Sequence, residues 1–156
     1  MKILRTLLTL AALAASVPAI TNDATGHAKL VQFEQSGIQG EVFFVDNGNT
    51  LWVLGVAEGL NPALPAGTYI SLLYGTGSLP GGPNACEPSA SHPITGPQMF
   101  VGTWVVDPDG SGVLSAKKTG ASYVPVSSAG TMSIRQRITG DGAPRRACGL
   151  VAVNPL

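Results

Sequence analysis

The residues best suited to metal or nucleophilic chemistry in this chain are few: His27, His92, Cys86 and Cys148. A zinc or copper centre needs three or four converging His, Cys or carboxylate groups. His27 lies near the start of the expected mature chain, where termini are commonly unordered. One histidine is then left for a site. Nucleophilic catalysis has no Gly-x-Ser-x-Gly elbow to use, and no imidazole base beyond these two histidines. The run Asp107-x-Asp109-Gly110-Ser111-Gly112 is similar to the first half of a calcium loop. Such a loop needs a bidentate Glu at its twelfth position, where this chain has Lys118, so a hairpin turn is expected instead. Arg135, Arg137, Arg145 and Arg146 form the main basic cluster. Its two readings are a site that steers or holds a small anion or partner, centred on Arg145 and Arg146, and a solvated strand face. Four charges are too few to argue for nucleic acid.

The elements that must position these residues are constrained by composition. Of 156 residues, 20 are Gly and 12 are Pro; 12% are charged and 44% hydrophobic. That balance excludes a disordered tail, a coiled coil and a charged nucleic-acid arm, and the length suits one domain with a sizeable core. Lys2 and Arg5 precede an apolar run from Leu7 to Ala15, broken only by Thr9, and Val17-Pro18-Ala19 supplies small residues. This pattern predicts a signal peptide over residues 1–19 and a domain over residues 20–156. The apolar run falls short of the ~20 residues that span a bilayer. No Cys sits near the cleavage point to carry a lipid anchor. An exported protein, periplasmic or secreted and without a membrane anchor, is the expectation. Its seven Lys+Arg against nine Asp+Glu leave a net charge of −2, which offers nothing to nucleic acid or an anionic membrane. In an exported chain Cys86 and Cys148 are expected to pair, and closing a loop of that length stabilises by roughly 4 kcal/mol in the chain-entropy model.

Strand-like runs separated by turn signals fill the chain after residue 20. Lys29–Gln35, Glu41–Val45 and Thr50–Ala57 read as a meander, with Asn47-Gly48 as a hairpin turn between the last two. Thr68–Tyr74 is a further strand, followed by a long Gly-, Pro- and Ser-rich segment from Gly75 to Pro97. Met99–Val106 and Gly112–Lys118 flank the Asp107–Ser111 turn. Tyr123–Val126 reads as a short edge strand. Thr131–Thr139 alternates, with Met132, Ile134, Gln136 and Ile138 on one face and Ser133, Arg135 and Arg137 on the other. Cys148–Val153 closes the set. Eight or nine strands without a credible helix predict an all-β fold, an antiparallel barrel or sandwich.

The run Arg145-Arg146-Ala147-Cys148-Gly149-Leu150-Val151-Ala152-Val153 resembles the closing strand of the copper/zinc superoxide dismutases. Val53-x-Gly55-x-Ala57-Glu58-Gly59-Leu60, Cys86 with His92 six residues on, and Phe100-Val101-Gly102 extend the likeness in the same order, over most of residues 28–153. It implies a Greek-key barrel with a Cys86–Cys148 link. It also implies where metal ligands would sit. The two copper histidines of the family's copper strand are replaced by Tyr69 and Ser71, and His92 matches the bridging histidine. Phe100 and Thr103 replace two zinc ligands, and Gln136 stands near the last copper histidine. Arg145 aligns with the family's anion-guiding arginine. Tyr, Ser and Gln are poor copper ligands beside His, so neither copper nor zinc is expected as a cofactor. The resulting expectation is a non-catalytic exported barrel that binds an unidentified protein or small anionic ligand, or serves as a structural module. The competing expectation is a copper/zinc dismutase with an unrecognised metal site, converting superoxide to oxygen and hydrogen peroxide. The Gly75–Pro97 segment and the surroundings of Arg145 are the expected partner surface.

Overall fold

A computed structural model of the chain describes residues 23–75, 86, 98–138 and 143–155. The expected leader, His92 and all of the 76–97 segment except Cys86 lie outside these residues. The described chain forms nine strands: β1 (Asp23–Gln32), β2 (Gln39–Asn47), β3 (Thr50–Glu58), β4 (Tyr69–Gly75), β5 (Gln98–Thr103), β6 (Val105–Val106), β7 (Gly112–Thr119), β8 (Ala129–Gln136) and β9 (Arg145–Pro155). Every pairing is antiparallel. Period-2 patterning builds the strands: in β2 Val42, Phe44 and Asp46 point inward, in β3 Leu51, Val53 and Ala57. The hairpin between them turns at Asn47-Gly48, where Gly48 takes φ 85°, a region that glycine enters without a Cβ clash. The Asp46 and Asn47 carboxyl and amide oxygens accept the Gly48 and Thr50 backbone N–H groups and hold that turn.

The strands follow the order β5-β4-β8-β9-β1-β2-β3-β7-β6. β5 and β6 belong to one run interrupted only at Trp104, so the two ends of the sheet meet there and the barrel is nearly closed. Taking that run as one strand, β4, β5/β6 and β7 are successive neighbours and β8 returns beside β4, the Greek-key order. Trp104 is where the run changes partner, from β4 to β7. Its backbone N–H bonds the Tyr69 carbonyl while its indole turns inward and donates to Ser71 Oγ at 2.8 Å. Gly55 leaves room for that ring: a Cβ there would stand 2.8 Å from the indole Cη2. Trp104, Phe44, Leu30, Leu114, Met132 and Ile134 are among the fully buried residues of the core.

Four expectations about elements are corrected. β1 begins at Asp23, not Lys29, and ends before Phe33; Glu34 and Gln35 turn the chain with positive φ of 51° and 57°. Met99–Val106 is two strands, for the reason above. Tyr123–Val126 is not a strand but a link between two 3-10 turns, Gly120–Ser122 and Val126–Ser128. Its polar groups turn to the buried Asp46 carboxylate instead of a ladder: the Tyr123 O–H and the Val126 N–H both donate to it at 2.8 Å. The alternation of 131–139 holds through Ile134, but its second face is also buried, at Thr131 and Ser133. Ser133 pairs in register with Cys148 of β9. No helix among the described residues is long and apolar enough to cross a membrane.

Candidate functional site

The two faces of β4 divide the residues that the sequence grouped together. Tyr69, Ser71 and Leu73 point into the barrel and are buried. The Tyr69 hydroxyl accepts the Asn61 N–H at 3.0 Å, and Ser71 Oγ accepts the Trp104 indole N–H. Both side chains are thus bonded into the barrel wall. Gln136 pairs in register with Tyr69 and shares its face at the barrel end, where its Oε1 accepts Arg146 Nε at 2.8 Å. Phe100 and Thr103 are exposed on the opposite side, opposite Leu72 and Ile70 of β4. The five positions therefore do not converge on one face; His92 lies outside the described residues. On the outward face β4 presents Ile70, Leu72 and Tyr74, and none of these donor sets suits copper or zinc.

What does converge on the outward face is basic. A bulge between Ile134 and Arg135 makes Arg146 the extra residue of β9, so that Arg145 stands directly opposite Arg135. The Arg145 guanidinium lies 5.1 Å from the Phe33 ring centroid and that of Arg135 5.7 Å from the Tyr74 ring. Arg135 Nη1 also donates to the Ala143 carbonyl at 2.7 Å. Burial lowers the pKa of Arg145 from its ordinary value and repulsion from Arg135 lowers it further; Tyr74 and Glu34 partly oppose this. Two adjacent, partly desolvated cations favour a shared anion. Next to them, in register, lie Ser133 and Thr131 of β8 and Tyr74 of β4, whose buried hydroxyls make no hydrogen bond among the described residues. The sequence pointed to the arginines but not to these hydroxyls. Their signal was the polar half of the β8 alternation, which lies beside Cys148.

Cys86 and Cys148 are bonded, with Cα atoms 5.4 Å apart across 62 residues of chain. Cys148 pairs in register with Ser133, so the link pins residue 86 beside the hydroxyls and the arginine pair. Arg137 and Lys118 lie over the exposed Phe100 ring, at 5.8 and 5.4 Å. Burial lowers the pKa of Lys118, which points away from the Asp107–Ser111 turn. That turn closes on itself, with Asp109 Oδ1 accepting both the N–H and the hydroxyl of Ser111. His27 is not in a loose terminus: it sits in β1, stacked 4.7 Å from Phe43 and 3.8 Å from Glu41. Among the described residues no three His, Cys, Asp or Glu side chains gather into a metal-sized group. On the far side of the barrel an open groove of about 560 Å³ runs between Lys29, Gln39, Glu41, Val56, Glu58 and Val113. The chain matches no protein-family model and no curated protein sequence.

Proposed function

We propose that this protein is an exported, non-catalytic barrel of the copper/zinc superoxide dismutase type that works as a binding or structural module. In this reading a small anionic ligand, or an acidic group of a protein partner, is held at Arg145 with Arg135, while Arg146 turns to Gln136 at the barrel end. The observation that carries it is the occupation of Tyr69 and Ser71. Their hydroxyls bond Asn61 and Trp104 inside the wall, and the strand's outward face offers Ile70 and Leu72 instead of ligands. A frame with a disulfide and a near-closed sheet suits binding by the surface it holds rigid. The first test is metal content per chain by mass spectrometry, after loading the purified protein with copper and zinc and dialysing. Near-zero copper is expected. Near-stoichiometric copper, with dismutase turnover, would overturn the non-catalytic reading.

A further inference from the structure

The sheet opposite the arginines exposes an apolar face that a solvated barrel does not need. Register sets its side chains in rows. One row runs Thr25–Val45–Trp52–Lys117, the next His27–Phe43–Leu54–Ser115, and the third Lys29–Glu41–Val56–Val113, extended by Val105 of β6. Its seven large apolar side chains are 37–71% exposed. Together they leave on the order of 600 Å² of apolar surface open, the upper end for the largest patch on a monomer. With its polar rim this approaches the roughly 800 Å² that each partner buries in a stable complex. Trp and Phe near the middle, with charge only at the margin, is the composition of an interface core.

We propose that this face is the contact of a two-fold symmetric homodimer, with a second copy of the chain as its occupant. Charge placement favours the copy over an unrelated partner. Glu41 and Lys117 stand at opposite corners of the lattice, each one strand and one row from Leu54 at its centre. Face-to-face pairing puts the two-fold axis in the plane of contact. An axis through Leu54, perpendicular to the diagonal joining the two charges, seats each Lys117 over the other copy's Glu41. It packs Leu54 on Leu54 and Trp52 near Phe43, and crosses the strands steeply, as in orthogonal sheet packing. Lys117 already lies over the Trp52 ring at 5.7 Å, so it reaches the contact from its own strand. This surface is separate from the Arg145 site and stands or falls independently of it.

Sedimentation velocity of the purified protein across a concentration series is the test. A reversible dimer at micromolar concentration is expected, and Leu54→Arg should make it monomeric while leaving the thermal unfolding and the disulfide intact. Val113→Lys serves the same purpose should Leu54→Arg misfold. Glu41→Lys and Lys117→Glu should each weaken the dimer about tenfold or more, and the double exchange should recover it. A protein monomeric throughout the series would overturn the proposal, as would a dimer indifferent to both Leu54→Arg and Val113→Lys. Loss in both single exchanges without recovery in the double would overturn the pairing of the two charges.

Discussion

Asp46 shows how a single buried carboxylate ties distant turns together, and it makes the chemistry of one tyrosine measurable. Its two oxygens accept from Gly48, Tyr123 and Val126, joining the β2–β3 hairpin to the segment before β8. Burial first, then the hydrogen bond and the negative charge of Asp46, push the Tyr123 phenol up to about 12. The folded value lies above the ordinary phenol value of about 10. The neutral phenol is therefore the form the fold favours, and its contribution to stability is complete below about pH 10 and lost as pH rises through about 12. An ultraviolet titration of tyrosinate should show a late-ionising group that Tyr123→Phe removes. The variant should also lose less stability than the native protein across that alkaline window; an unchanged titration would show that the pair does not govern it. Ser71 is a second residue whose role is readable as energy. Ser71→Ala leaves the buried Trp104 indole N–H unpaired, which should cost about 1–3 kcal/mol in denaturant unfolding. Trp104→Phe in the same background should cost less than it does alone, because the lost bond is shared.

At the scale of elements, closure of the barrel depends on the run from Met99 to Val106. Trp104 keeps a backbone bond to the Tyr69 carbonyl of β4, and its indole fills the barrel against Gly55. Gly55→Ala should therefore destabilise by about 1–3 kcal/mol through overpacking, and Trp104→Phe should relieve part of that loss; chemical denaturation of the single and double variants separates strain from simple loss of glycine. The bulge in β9 is the other decisive irregularity. Without it Arg145 would point to the opposite face from Arg135, because a one-residue shift reverses every side chain of a strand. Deletion of Arg146 removes the extra residue itself, so it should close the bulge while keeping Cys148 opposite Ser133 and Arg145 opposite Arg135. Phosphate or sulfate binding, read by calorimetry against the native protein, should survive that deletion and be lost in Arg135→Ala/Arg145→Ala.

The whole molecule is a nearly closed sheet held at one face by the Cys86–Cys148 link. In the chain-entropy model a closed loop of this length stabilises by roughly 4 kcal/mol. Cys86→Ala/Cys148→Ala should lower the unfolding free energy by about that amount without a change in strand content by circular dichroism. A loss of strand content would mean that the link is needed to form the barrel and not only to stabilise it. The barrel also separates two surfaces. The arginines and buried hydroxyls lie on β4, β8 and β9, and the apolar lattice on β2, β3 and β7. A dimer formed through the second leaves the first open on each copy, so anion binding per chain should not depend on the assembly state.

The strand-like runs Glu41–Val45 and Thr50–Ala57, the Asn47-Gly48 turn, the Asp107–Ser111 turn and the two cysteines made the all-β class, two hairpins and the disulfide legible in the chain itself. These are local: each depends on a period of two, a glycine at positive φ, or the chemistry of one residue type. The inward packing of Trp104, the failure of Tyr123–Val126 to form a strand, and the inward turn of Tyr69 and Ser71 were not legible. Each depends on a partner far along the chain: Ser71 and Gly55 for Trp104, Asp46 for Tyr123, Asn61 and Trp104 for β4. The same holds for the candidate site. Residue types marked Arg145 and Arg146, but which face they occupy, and that Arg135 stands beside Arg145, followed from a register shift between two strands. Side-chain identity is written in the sequence, whereas facing is decided by pairing, and pairing is set only when the barrel closes.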